Sequence, residues 1–253
     1  MKSLIKDILA RFGYRLSRTT PTETPESAEA LLDLTDSERE IVCAAQPFTL
    51  TGPARLATLI HAVTHLVRHR IPGDIAECGV WRGGSMVAVA RTLLALGDTN
   101  RQLYLYDTFE GMTEPTEHDR DFAGRAAAVL LQEDASSSGV RAISSLDDVK
   151  SNLLATGYPA EKIVFVQGKV EETIPATLPG TLALLRLDTD WYESTRHELK
   201  HLYPLLNLGG FLIIDDYGHW QGAREATDEF LRTLPEPLFL HRIDYTARLA
   251  VKT

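Results

Sequence analysis

Two stretches decide how this chain folds: Leu187-Asp188-Thr189-Asp190-Trp191-Tyr192-Glu193 and Ile213-Ile214-Asp215-Asp216-Tyr217-Gly218. Each is an apolar run that ends in two closely spaced aspartates. A buried strand ending in carboxylates delivers them to the rim of a sheet, where ligands of open α/β sheets bind. Four acids gathered at one rim repel one another unless a cation lies between them or some keep a proton. The reading is a divalent metal site beside a cofactor site.

Outward from these stretches, strand patterns start near Asp74, Gln102, Ile163, Leu182, Phe211, Leu238 and Ala247. Helical patterns separate the earlier ones, at residues 85–96, 146–156, 193–206 and 221–234. This alternation predicts a parallel, doubly wound sheet. The last two strands flank Asp244-Tyr245-Thr246 and read as a closing hairpin.

The first strand runs into Gly79-Val80-Trp81-Arg82-Gly83-Gly84-Ser85. Glycines let the backbone approach a ligand closely, and a helix amino terminus offers free N–H groups. The spacing Gly-x-x-x-Gly-Gly is not the Gly-x-Gly-x-x-Gly of dinucleotide-binding folds, which counts against a nicotinamide or flavin. The second strand ends at Asp107, placed to accept hydrogen bonds from ribose hydroxyls. A polar insertion follows through Gly124, with His118, Asp119 and Asp121, and reads as a lid or substrate loop.

The chain of 253 residues carries a formal charge of −9 and 44% apolar residues. Length and apolar content suit a single α/β domain, and the acidic balance argues against nucleic acid as the main partner. Cys43 and Cys78 sit in unrelated contexts, which argues against a disulfide framework or a cysteine zinc site and for a reducing cytoplasm. No run approaches the roughly 18 apolar residues of a membrane span. His61, His65 and His69 recur at four-residue spacing, but without paired acids they read as a solvated helix face.

Residues 1–30 read as an amphipathic basic helix and a Thr/Pro/Glu/Ser-rich linker, 31–72 as a helical region, and 73–253 as the main domain. The helix is expected to pack on the domain or a partner subunit, or to touch an anionic membrane surface through residues 1–18.

The glycine turn, Tyr106-Asp107-Thr108-Phe109-Glu110-Gly111-Met112, Leu187-Asp188-Thr189-Asp190-Trp191-Tyr192-Glu193-Ser194-Thr195 and Ile213-Ile214-Asp215-Asp216-Tyr217-Gly218-His219-Trp220 together resemble the macrocin O-methyltransferase (TylF-type) family. Its members methylate sugar hydroxyls on bacterial natural products and use S-adenosylmethionine and magnesium. The resemblance covers roughly residues 73 to 252 and implies a class I methyltransferase fold: a seven-stranded, mostly parallel Rossmann-like sheet with helices on both faces and a terminal antiparallel hairpin.

It further implies that Glu77, Gly79 and Ser85 meet the amino-acid end of the cofactor and Asp107 its ribose. By analogy with related enzymes, Gly168, Val170 and Glu171 line the adenine pocket. Asp188, Asp215 and Asp216 match the metal ligands. These hard oxygen donors favour magnesium over zinc, with manganese or calcium tolerated. Asp190 matches the proposed general base, with His219 as the alternative. Trp191, Tyr192 and Trp220 either pack or face a sugar, and His118 is a further candidate for substrate contact. The expected acceptor is a small-molecule glycoside, a surface-glycan sugar or a catechol-type vicinal diol, handled by a cytoplasmic homo-oligomer. A non-catalytic cofactor-binding subunit is the reading from another class.

Overall fold

A computed structural model describes residues 31–133 and 141–253, so the helix and linker expected over 1–30 lie outside the described residues. Helices α1 (Asp36–Ala45) and α2 (Pro53–Arg68) precede strand β1 (Asp74–Cys78), helix α3 (Gly84–Ala95) and strand β2 (Leu103–Asp107). Helices α4 (Ala127–Glu133) and α5 (Leu146–Leu154) lead to β3 (Ile163–Gln167) and the single turn α6 (Val170–Thr173). There follow β4 (Leu182–Leu187), α7 (Tyr192–Leu202), β5 (Leu206–Ile214), α8 (Gln221–Thr233), β6 (His241–Arg242) and β7 (Arg248–Val251).

The strands form one seven-stranded sheet in the order β3-β2-β1-β4-β5-β7-β6. The first five run parallel, and β7 is antiparallel to both neighbours. This is the parallel, doubly wound sheet expected from the alternating pattern, in the class I methyltransferase form that the resemblance implies. The order reverses between β1 and β4, so the loops leaving their carboxyl ends diverge and open a crevice. Register decides what borders it. Cys78 lies opposite Tyr106 and Leu187, and Leu187 opposite Ile214. The next residues, Asp107, Gly79, Asp188 and Asp215, therefore stand side by side at one edge. Main-chain bonds continue the alignment, from Asp188 N to Cys78 O at 2.8 Å and from Asp215 N to Leu187 O at 2.9 Å.

Strand residues alternate between two cores. Ile75, Leu184 and Ile213 face the layer of α1, α2, α3 and α5, while Ala76, Cys78, Leu185, Leu187 and Ile214 face that of α7. By the same parity Glu77, Arg186 and Asp215 point into the first layer. There the apolar face of α2, with Leu56, Leu59, Ile60, Val63 and Leu66, packs in one core with the sheet. The region 31–72 is thus packed against the strands.

Two elements differ from the sequence reading. β5 begins at Leu206 instead of Phe211, because the strand continues through a bulge at Gly209 (φ 78°) and Gly210. The register shift between Leu182 and Leu184 absorbs the extra residues. The strand expected from Leu238 shrinks to His241–Arg242; Pro235 and Pro237 just upstream have no N–H to give a ladder. No helix among the described residues is long and apolar enough to cross a membrane.

Candidate active site

Three carboxylates converge at the edge. One oxygen from each of Asp188, Asp215 and Asp216 lies within 4.8 Å of the others. Asp215 and Asp216 are buried, and Asp188 is partly open to a cavity of about 360 Å³. Burial raises the Asp188 carboxyl, against the pull of Arg186, and raises Asp216 further, with the neighbouring Asp190 charge adding to the effect.

Two guanidinium groups partly offset this charge. Arg186 Nη1 donates to Asp188 at 2.7 Å and to Glu77; its Nη2 donates to Asp215 at 2.6 Å and to Thr51 at 3.0 Å. Arg55, from α2, pairs with Asp215 and, at 3.1 Å, with Asp244. Neither Asp190 nor Asp216 has a basic partner among the described residues. A hard divalent cation fits this set: the donors are all carboxylate oxygens, and no histidine or cysteine joins the cluster.

Asp190 sits in an unusual backbone state. Its φ is 65°, and Trp191 N donates to Thr189 O at 2.7 Å, closing a γ-turn around it. Positive φ is strained for most residues and is least costly for Asn and Asp, typically about 1–3 kcal/mol when imposed. The turn brings the Asp190 carboxyl within hydrogen-bonding reach of Asp216 and of the Trp220 side chain, and burial pushes its pKa up. Thr189 points the other way, into the protein, and donates to Glu198 of α7.

The opposite half of the cavity is built from the turn after β1 and the ends of β2 and β3. Gly79, Ser85, Asp107, Gly168, Val170 and Glu171 all line it. The glycines earn separate explanations. A Cβ on Gly79 would strike the Asp188 main-chain carbonyl, and φ is 79° there. Gly83 and Gly84 are not on the wall; a Cβ would meet Leu153 and the Phe48 backbone, at 2.7 and 2.6 Å. Their smallness serves close helix packing, not approach to a ligand.

Asp107 is already engaged: Oδ2 accepts from Val80 N at 2.6 Å and Trp81 N at 3.1 Å, and Oδ1 from Phe109 N at 2.7 Å. Oδ1 also lies 3.5 Å from the Thr108 hydroxyl, and the carboxylate so orders the glycine turn. Glu77 does not line the cavity. It is fully buried one residue below the wall, with Oε1 on Arg186 and Oε2 without a partner, and burial pushes it up to about 8. The Asp107 and Glu171 carboxylates on this wall fit a ligand that brings hydroxyl and ammonium donors, as S-adenosylmethionine does.

The polar insertion is docked against the protein. Buried Asp119 accepts from Tyr192 N at 2.7 Å, capping α7, and from Thr116 N at 2.6 Å. Trp191 Nε1 donates to Thr113 O at 3.0 Å, and Trp191 is buried against Trp220. His118 stacks on Tyr192 and pairs with Glu225, away from the cavity wall. His219 does line the cavity; its Nδ1 lies 2.9 Å from the Tyr245 hydroxyl.

Residues 20–250 match the macrocin-O-methyltransferase (TylF) family. The chain belongs to this family. Among curated members it is 40% identical over 182 residues to the 8-demethyl-8-(2,3-dimethoxy-alpha-L-rhamnosyl)-tetracenomycin-C 4'-O-methyltransferase of Streptomyces olivaceus, covering 72% of this chain and 67% of that protein. It is 34% identical over 182 residues to the mycinamicin III 3''-O-methyltransferase of Micromonospora griseorubida, covering 72% and 69%. The solved structure of the O-methyltransferase NovP superposes with a TM-score of 0.71 at 31% identity, covering 81% of this chain and 82% of that one. Membership of the macrocin O-methyltransferase family makes this chain an S-adenosylmethionine-dependent O-methyltransferase.

Two residues escaped the sequence reading of this family member. Arg186 had a legible signal: one arginine inside Leu182-Ala183-Leu184-Leu185-Arg186-Leu187, a strand buried along its whole length, requires buried acids. Arg55 had none, because its partners lie far away in the sequence, at Asp215 and Asp244.

Proposed function

We propose that this macrocin O-methyltransferase family member transfers the methyl group of S-adenosylmethionine to a sugar hydroxyl of a natural-product glycoside with the help of Mg²⁺. The observation that carries the reading is the placement of Asp190 beside the Asp188–Asp215–Asp216 cluster, on the wall that also holds Gly79 and Asp107. Donor and acceptor sites thus share one cavity.

Asp188, Asp215 and Asp216 would hold the cation, which when bound lowers the pKa of an acceptor hydroxyl. Asp190 takes the proton from that hydroxyl as attack on the methyl carbon proceeds. Trp220 stands beside Asp190, and the γ-turn holds the Asp190 carboxyl near Asp216. His219 is the weaker candidate for the base, since its Nδ1 is paired with Tyr245. Ser85 and Gly79 support the methionine end of the donor, Asp107 its ribose, and Gly168, Val170 and Glu171 its adenine. Fixing both partners in one cavity contributes through proximity.

The test is transfer of labelled methyl from S-adenosylmethionine to glycosides of 6-deoxyhexoses, with and without chelator. The expected result is transfer that stops in chelator and returns with Mg²⁺. Undiminished turnover in chelator removes the metal from the mechanism.

A further inference from the structure

Five aromatic rings form a ridge that runs from the Asp190 pocket to the surface, and its exposure rises along the way. Trp191 and Trp220 are buried at 2% and 6%, with centroids 4.9 Å apart. His219 follows at 4.9 Å from Trp220 and is half-buried. Phe122 and Tyr245 lie 5.5 and 6.0 Å beyond His219 and are 66% and 54% exposed. Trp220, His219 and Tyr245 line the cavity, so the outer rings continue its wall. Near the inner end, Trp220 lines the same cavity as Asp190.

The outer rings are held, not loose. Phe122 follows Asp121, a 7% exposed residue whose Oδ1 accepts from Ala123 N at 2.9 Å and Arg125 N at 2.8 Å. Gln221 Nε2 donates to Asp121 O at 2.9 Å, tying this turn to α8. Tyr245 is pinned by His219, and its carbonyl packs against Gly218, where a Cβ would collide with it. Three segments remote in sequence therefore converge to present two ordered, exposed rings. The Tyr245 hydroxyl is already paired, so what the pair offers a ligand is ring surface. Exposed aromatics in fixed turns beside a cavity mark a binding surface, and rigid rings bind at low entropic cost.

We propose that Phe122 and Tyr245 form a platform for the apolar aglycone of the acceptor, the part that remains outside when the sugar hydroxyl is against Asp190. The inference rests on the glycoside reading above and adds a specificity determinant to it. The platform makes the enzyme prefer sugars that carry an extended apolar or aromatic substituent over the same sugars with a small one.

Paired 4-nitrophenyl and methyl glycosides of 6-deoxyhexoses test it. In the wild type the aryl glycoside is expected to have the lower KM. Phe122→Ala should reduce kcat/KM for the aryl glycoside about tenfold more than for its methyl partner, with the loss in KM. Phe122→Trp should restore the preference. Equal losses on both glycosides in Phe122→Ala, or no loss, overturn the platform and leave the glycoside reading standing. Methylation of no glycoside by the wild type, with S-adenosylmethionine binding intact by calorimetry, overturns both.

Discussion

The hydroxyl of Thr189 donates to both carboxylate oxygens of Glu198, at 3.0 and 3.1 Å, from the middle of the loop that carries Asp188 and Asp190. Glu198 is fully buried on α7, and burial raises its pKa well above 4.5. A carboxyl raised on folding binds its proton more tightly in the native state. Its contribution is complete below about pH 4.5 and is lost as pH rises towards the folded value. Glu198→Gln, neutral at every pH, should therefore lose less thermal stability than the wild type between pH 5 and pH 8. Parallel melting curves with equal slopes against pH would refute this. Glu198→Ala should lower kcat as well, because Thr189 then loses the partner that fixes the loop.

Asp190→Asn should lower kcat by roughly 10²-fold or more, as loss of a general base does. Asparagine tolerates φ near 65° at least as well as aspartate, so the variant should keep the wild-type melting temperature and S-adenosylmethionine affinity. Asp190→Ala should lose stability in addition. Near wild-type turnover in Asp190→Asn would move the base role to His219.

Mg²⁺ should raise the melting temperature with a concentration dependence, since a ligand that binds only the native state stabilises it by mass action. Asp216→Asn removes one oxygen donor from the three-carboxylate group and should abolish most of that shift. Differential scanning fluorimetry against MgCl₂, with no substrate present, reads this directly. An unchanged Asp216→Asn titration would exclude the cluster as the cation site.

Arg186→Leu removes the shared donor of Glu77, Asp188 and Asp215. Breaking a buried pair by deleting one partner costs about 3–5 kcal/mol, because the remaining charges stay buried. Urea denaturation should show that loss, and Glu77→Gln in the same chain should recover part of it. Arg186→Lys should fall between, because an ammonium lacks the planar fork that reaches all three acids. Wild-type stability in Arg186→Leu would mean that the acids keep protons and need no cation from β4.

Much of the framework was legible in the chain itself. Alternating apolar runs and helical stripes foretold the parallel sheet and its closing hairpin, because burial on two faces makes a strand read as a continuous apolar run. The acids after Leu187 and Ile214 foretold a charged rim, since a strand end is local information. The bulge at Gly209-Gly210 was not legible: the same residues make a turn or a bulge according to what pairs alongside.

Sequence alone determined the family, the layered fold and the set of acids, because periodicity and motif order are properties of neighbours along the chain. Tertiary structure alone decided what each residue does. Parallel register aligned Gly79, Asp188 and Asp215 at one edge. Side-chain parity turned Glu77 into the protein to meet Arg186, and α2 brought Arg55 to Asp215. Three distant turns assembled the rings around His219. Contacts between residues a hundred positions apart depend on how layers pack, and no local pattern encodes that.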